Sequence, residues 1–243
     1  IKSKLNAEII GQSEAIEKII NQLKITKTTN QPSAIMLFSG SSGVGKSEMA
    51  KQLAKCLSRK LIRLDMSEYK DSSSVQKIIG AAPGYVGYDK PSLLLGQLQI
   101  YPKSIILLDE IDKACQDVIN IFLHVFDEGF LEDSHKRKVD FRNTIIIMTT
   151  NQSCVKGKLG FKKNTISKLN NYRFSEDLLT RIDEIINFKN LTKTDLKKII
   201  RKNINHEIKE EDIQNILKDY DIKQQARGII KKANKYFQCK VKT

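Results

Sequence analysis

The sequence predicts an α/β fold: a five-stranded parallel sheet covered by helices, followed by a small, mostly helical second region. Three observations carry this. Five short aliphatic runs recur along the chain with little apolar–polar alternation, helical patterns fall between them, and after about residue 190 the strand pattern stops. Runs of this kind read as strands buried on both faces of a parallel sheet, and their alternation with helices gives a sheet covered on both sides.

The runs are "AIMLF" (34–38), "LIRLD" (61–65), "SIILLD" (104–109), "TIIIMTT" (144–150) and "EIINF" (184–188). Between them, 47–59 places Ala50, Leu53, Ala54 and Leu57 on one helical face, and 116–129 does the same with Val118, Ile119, Phe122, Leu123 and Phe126. Gly129 follows as a C-cap. Beyond residue 190, three stretches read as helices: 191–208 with Thr194 or Asp195 as its cap, 210–220, and 224–237. The closing "CKVKT" (239–243) reads as a short strand. The expected division is 1–189 and 190–243.

With 243 residues, 40% hydrophobic and 7% aromatic with no Trp, the core is mostly aliphatic. No apolar run approaches the roughly 20 residues of a membrane helix, and the start carries no signal-peptide pattern. The first residue is Ile1 rather than Met, so the chain reads as a piece of a longer one. The four cysteines (56, 115, 154, 239) form no CxxC pair and lie apart from the three histidines, which fits scattered reduced thiols rather than a metal site. The net charge of +14 suits a nucleic-acid partner, but the lysines are spread along the chain beside Ile and Asn. That distribution fits drift in an AT-rich genome, and the charge is discounted as a sign of nucleic-acid binding.

"GSSGVGKS" (40–47) follows the first strand and opens the first helix, the context that the GxxxxGK[ST] pattern requires. Gly40, Gly43 and Gly45 let the backbone wrap an anion, with Ser41, Ser42 and Val44 completing the loop. Its amides and the helix start point at phosphate oxygens. Lys46 supplies charge for the β- and γ-phosphates, and the Ser47 hydroxyl suits Mg²⁺. The expected ligand is thus a phosphate-bearing nucleotide with Mg²⁺, and the family resemblance given below implies that it is ATP. A second buried strand ends in Asp109-Glu110. An Asp there suits Mg²⁺, and the adjacent Glu accepts a proton from an attacking water; simple N-capping is the competing reading. Asn151 ends the fourth strand and falls at the carboxyl edge, where ligands of parallel sheets bind. Its amide suits orienting the water.

With "IIGQSEAIEKI" (9–19), "DMSEYKDSSSVQKIIGAAPGYVGYDK" (65–90), the segment 107–151 and "RIDEIINF" (181–188), the chain resembles AAA+ ATPases of the Clp type. The likeness is to the C-terminal ATPase module of ClpA, ClpB and ClpC, with the ClpC group nearest. The resemblance implies that Ile9, Ile10 and Gly11 border the adenine and that Asn151 is sensor 1. It implies that Arg181 is an arginine finger reaching a neighbouring subunit, and that Arg227 is sensor 2. The family usually shows Gly-Ala-Arg at this last motif; here it is Gln225-Ala226-Arg227. The region after 190 is also shorter than usual for the family.

The resemblance further implies an ATP-dependent homo-hexamer that threads unfolded proteins through a central pore. In that reading the glycine-hinged Tyr85-Val86 pair grips the translocating chain, with 132–138 as a charged second loop. Leu159-Gly160-Phe161 resembles the tripeptide by which such ATPases dock on a ClpP-type protease. Two alternatives stand beside this: a ClpB-like disaggregase without a protease, and an AAA+ nucleic-acid motor. An aromatic-apolar pair grips peptide better than phosphate, which argues against the motor. A non-hydrolysing scaffold is disfavoured by the intact Lys46, Asp109, Glu110 and Arg181. The Ile, Lys and Asn drift suggests the stroma of an apicomplexan plastid, with bacterial cytoplasm as the alternative.

Overall fold

Both faces of the sheet are buried, and that is why the strands show no alternation in sequence. The computed structural model describes residues 1–25, 27, 30–81, 83–85, 88, 92–152, 174–204, 209–218, 220–221 and 224–240. The strands are β1 (Ala34–Ser39), β2 (Leu61–Asp65), β3 (Ile105–Asp109), β4 (Phe130–Glu132), β5 (Lys138–Asp140), β6 (Ile145–Thr150) and β7 (Glu184–Asn187). Five of them form one parallel sheet in the order β2-β3-β6-β1-β7. The five expected strands are thus all present. The antiparallel pair β4-β5 is additional, and its three-residue strands are too short to leave a pattern.

Successive residues of each strand serve opposite layers. Ile106 and Leu108 of β3 join Leu37 and Met148 in one core; Ile105 and Leu107 join Met36, Phe38 and Ile147 in the other. The first core is closed by α4 (Val75–Ile79), α5 (Leu93–Ile100), α6 (Gln116–Glu128) and α7 (Glu176–Arg181), with Phe122 and Phe126 of α6 nearly inaccessible. The second is closed by α1 (Lys2–Glu8), α2 (Ser13–Leu23) and α3 (Lys46–Cys56), through Leu5, Ile16, Ile19, Met49 and Leu53. Gly129 is the left-handed C-cap of α6, as its position in the sequence predicts.

A third core, built from Leu191 onward, joins α8 (Lys193–Asn203), α9 (Glu210–Leu217) and α10 (Gln225–Lys240) through Leu196, Ile200, Ile213, Ile216 and Ile229. The cap of α8 differs from expectation. Thr192 accepts from Asp195 N, and Asp195 accepts from Thr192 N, a reciprocal capping box. The expected terminal strand is also corrected: α10 continues through Cys239 and Lys240, and 241–243 lie outside the described residues. The apolar residues Ile229 and Ala233 of α10 keep the helical period and pack in the third core, and the helix runs on from them to Lys240.

Candidate active site

The loop after β1 closes on the start of α3. Gly40 runs at φ +140°, and a Cβ there would lie 2.6 Å from the carbonyl oxygen of Phe188, so only glycine lets the loop leave the sheet this way. Lys46 turns back into the loop. Its Nζ donates to the carbonyl oxygens of Gly40 at 2.6 Å and Ser41 at 2.8 Å, and to Oδ1 of Asn151 at 3.1 Å. Only 7% of the residue is exposed. Burial pushes its pKa down to about 8 from 10.5; Asp109 and Glu110 pull the other way, and Arg227 adds to the depression.

Asp109, at the end of β3, is held from three sides. Ser47 Oγ donates to it at 2.9 Å, Thr149 Oγ1 at 2.6 Å, and the Arg63 guanidinium pairs with it at 2.7 Å. Glu110 follows in a left-handed conformation, φ 58° and ψ 53°. A non-glycine residue there costs about 1–3 kcal/mol, and such residues concentrate at functional sites. The strain is held by Glu110 N, which donates to Thr149 Oγ1 at 2.9 Å, while Asn151 Nδ2 donates to the Glu110 carboxylate at 3.0 Å. Glu110 precedes a 3₁₀ turn (Ile111–Lys113) but its side chain caps nothing. The N-capping reading therefore fails. The carboxylate instead completes a chain running from Lys46 through Asn151 to Glu110.

These groups line one cavity of about 630 Å³. Ser42 to Ser47, Arg63, Asp65, Asp109, Glu110, Thr149, Asn151 and Arg227 form its polar end, while Ile9, Ile10, Leu191, Ile199 and Ile230 form its apolar end. Gly40 and Ser41 contribute backbone beneath Lys46 without lining the cavity. Gly11 packs against Leu191 and Asp195 behind the apolar end. A hydroxyl and a carboxylate in hydrogen-bond contact, Ser47 and Asp109, are hard oxygen donors of the kind Mg²⁺ takes. The residues present therefore fit that cation.

Arg181 does not line the cavity. It makes a two-pronged contact with Asp127, at 2.7 and 2.9 Å, and donates to the Asp177 carbonyl. Tyr85 is 66% exposed, so it does not tuck into the core. Nearby, the Tyr88 ring stacks on His135 at 4.1 Å, joining this loop to the β4-β5 turn. That turn is a tight one, pinned by Asp133, which accepts from His135 N, Arg137 N and Arg137 Nε. Val86 and the Leu159-Gly160-Phe161 tripeptide lie outside the described residues.

Several site residues escaped sequence reasoning. Gln12 donates to the carbonyls of Val44 and Lys189 and accepts from Lys189 N. Lys202 closes the apolar end by donating to the Ala7 and Glu8 carbonyls and the Glu8 carboxylate. Arg63 and Thr149 had a visible signal, a polar residue inside an aliphatic strand; Gln12 and Lys202 had none, because their partners are distant in sequence.

The buried ammonium has a measurable consequence. A lysine whose folded pKa lies below its unfolded value binds fewer protons when folded, so stability rises as pH climbs from about 8 toward 10.5. Lys46→Met should remove this contribution. Urea midpoints without nucleotide, taken near pH 7 and near pH 10, should rise more, or fall less, for the parent than for the variant. Equal changes would contradict a desolvated charge at this position.

A family model described as "AAA domain (Cdc48 subfamily)" matches residues 31–185, which takes in the phosphate loop, Asp109-Glu110, Asn151 and Arg181. Chaperone protein ClpB of Mycoplasmoides gallisepticum is 41% identical over 209 residues, covering 83% of this chain and 29% of that protein. ClpB of Clostridium tetani is 40% identical over 237 residues, 91% of this chain and 27% of that protein. The ATP-dependent Clp protease ATP-binding subunit ClpE of Lactococcus lactis is 42% identical over 212 residues, 81% of this chain and 28% of that protein. The chain thus spans less than a third of the length of each of these relatives. It is similar over most of its length to these Clp-type proteins, and it belongs to the AAA domain (Cdc48 subfamily) family.

Proposed function

We propose that this chain is the motor part of an ATP-driven protein unfoldase, and that Glu110 is its general base. The observation that carries the reading is Glu110 itself. It is a strained, left-handed carboxylate facing the cavity and bonded to the same Asn151 that receives Lys46. The triphosphate of ATP lies along Gly43 to Ser47, and the base lies against Ile9, Ile10, Leu191, Ile199 and Ile230. Ser47 and Asp109 would hold Mg²⁺, which would supply charge neutralisation at the phosphates. Asn151 orients the water and Glu110 takes its proton. Lys46 and Arg227 face the phosphates with positive charge.

Arg181 acts on the site of the next subunit in a ring, which is supported by its position outside its own cavity. Tyr85 grips the translocating polypeptide, supported by its exposure. Docking on a ClpP-type protease through Leu159-Gly160-Phe161 follows from the tripeptide and from the ClpE relative, which by its name serves a protease. The ClpB relatives favour a second reading, a chaperone without a protease partner. The Ile, Lys and Asn drift supports an organelle genome and a plastid setting.

Glu110→Gln should bind ATP as the parent does and lose about 10²–10⁴-fold in turnover. Unchanged hydrolysis would remove Glu110 from the mechanism. Tyr85→Ala should keep its ATPase rate and fail to unfold a tagged substrate protein; normal unfolding would end the gripping role. Replacing Leu159 and Phe161 together by Ser should abolish co-purification with a ClpP-type protease. If no association exists even before the change, the ClpB-like reading replaces the protease partnership.

A further inference from the structure

The first residue of α10 is a buried glutamine in a backbone conformation that favours glycine. Gln225 has φ +50° and is 2% exposed. Its Oε1 accepts from Leu191 N at 2.7 Å, and its own carbonyl accepts from the Tyr220 hydroxyl at 2.5 Å. The next residue, Ala226, donates its N–H to the Gly43 carbonyl at 3.1 Å. Gly43 is pressed against this turn: a Cβ there would lie 3.2 Å from Gln224 O, 3.3 Å from Gln225 Cβ and 3.5 Å from Arg227 Cβ. One residue further on, Arg227 lines the cavity.

A left-handed glutamine persists only where its surroundings hold it. What holds this one is the Leu191 amide, a buried donor that would otherwise be costly to leave unpaired. We propose that Gln225 is a positioning residue for ATP binding and hydrolysis: its side chain ties Leu191 to the turn that seats α10 on the phosphate loop and aims Arg227 at the phosphates. The side chain supplies a tether in this chain that a glycine at the same position could not. The proposal rests on the reading of Arg227 as a phosphate-facing cation.

The test compares Gln225→Gly, Gln225→Met, Arg227→Ala and the two double variants with Arg227→Ala. For each purified chain, affinity for a fluorescent ATP analogue and the kcat and KM of ATP hydrolysis are measured. Gly adopts φ +50° without strain and removes the side chain with its bond to Leu191; Met keeps length and loses the acceptor. Each should weaken analogue binding or kcat/KM by about tenfold, with the same division between KM and kcat that Arg227→Ala shows. Each double variant should be no worse than Arg227→Ala alone. A purely structural role would lower the active fraction, reducing apparent kcat and leaving KM unmoved, and would overturn the proposal. So would effects that multiply in the double variants. If Gln225→Met does not fold, Gln225→Gly carries the same comparison. If Arg227→Ala is impaired and Gln225→Gly matches the parent, this inference alone fails; if Arg227→Ala also matches the parent, the reading of Arg227 fails and takes the inference with it.

Discussion

The site depends on an in-register parallel sheet. β1 and β6 pair from Ala34↔Ile145 to Ser39↔Thr150, β3 and β6 from Ile105↔Ile145 to Leu108↔Met148, and β2 and β3 from Leu61↔Ile105 to Asp65↔Asp109. The phosphate loop, Asp109-Glu110 and Asn151 therefore leave the sheet at one level. Because both faces are apolar, side-chain alternation alone cannot choose this register. Polar residues at the strand ends can. Ser104 and Thr144 sit buried before β3 and β6, while Asp109, Thr149 and Thr150 close the other end. A slip by one residue would pull one of these groups between the helical layers, away from its hydrogen-bond partners, and such a group is costly to bury unpaired.

The two buried charges of the cavity are treated differently. Asp109 is compensated by Arg63 and two hydroxyls, whereas Lys46 is held by two carbonyls and an amide oxygen, all neutral. Its depressed pKa records burial first; Arg227 adds to the depression, while Asp109, Glu110 and Asp112 oppose it. A polyphosphate bound as proposed would meet this buried ammonium directly, where an ionic contact is worth more than at the surface. The strained Glu110 is linked to Asn151, which places the amide between this carboxylate and the ammonium instead of a direct ion pair.

Legibility in the sequence followed the range of the interactions. The five core strands, the phosphate loop and the Asp109-Glu110 pair were readable because each is encoded by a contiguous segment whose pattern survives alone. The β4-β5 hairpin was not, because three-residue strands are shorter than any period. The α8 cap was placed at Thr194 or Asp195 when Thr192 takes it; Asp195 contributes as the reciprocal partner, and several capping residues in a row leave the choice to tertiary packing. Gln12, Lys202 and Gln225 act across 177, 195 and 34 residues of chain respectively. No local pattern carries such pairings. Gln225 was visible only as a departure from the Gly-Ala-Arg pattern, and its left-handed backbone is the physical reason that pattern favours glycine.

Those long-range contacts also set what a ligand in the cavity would do to the C-terminal helices. Its apolar end is assembled from Ile9 and Ile10 on one side and Leu191, Ile199 and Ile230 on the other. Gln12 fixes the segment at Lys189 to the phosphate loop, Gln225 fixes Leu191 to the turn before Arg227, and Lys202 bridges α8 to the end of α1. A ligand that touches both walls must bind the seated arrangement of the C-terminal helices more tightly than any displaced one. By linkage it then favours that seating by the same differential free energy. Neither wall alone offers the full contact surface, so loss of the ligand's terminal contacts lowers the free energy that holds the walls together. In the proposed motor, the work available to the loop carrying Tyr85 would be bounded by that difference, not by the total affinity for nucleotide.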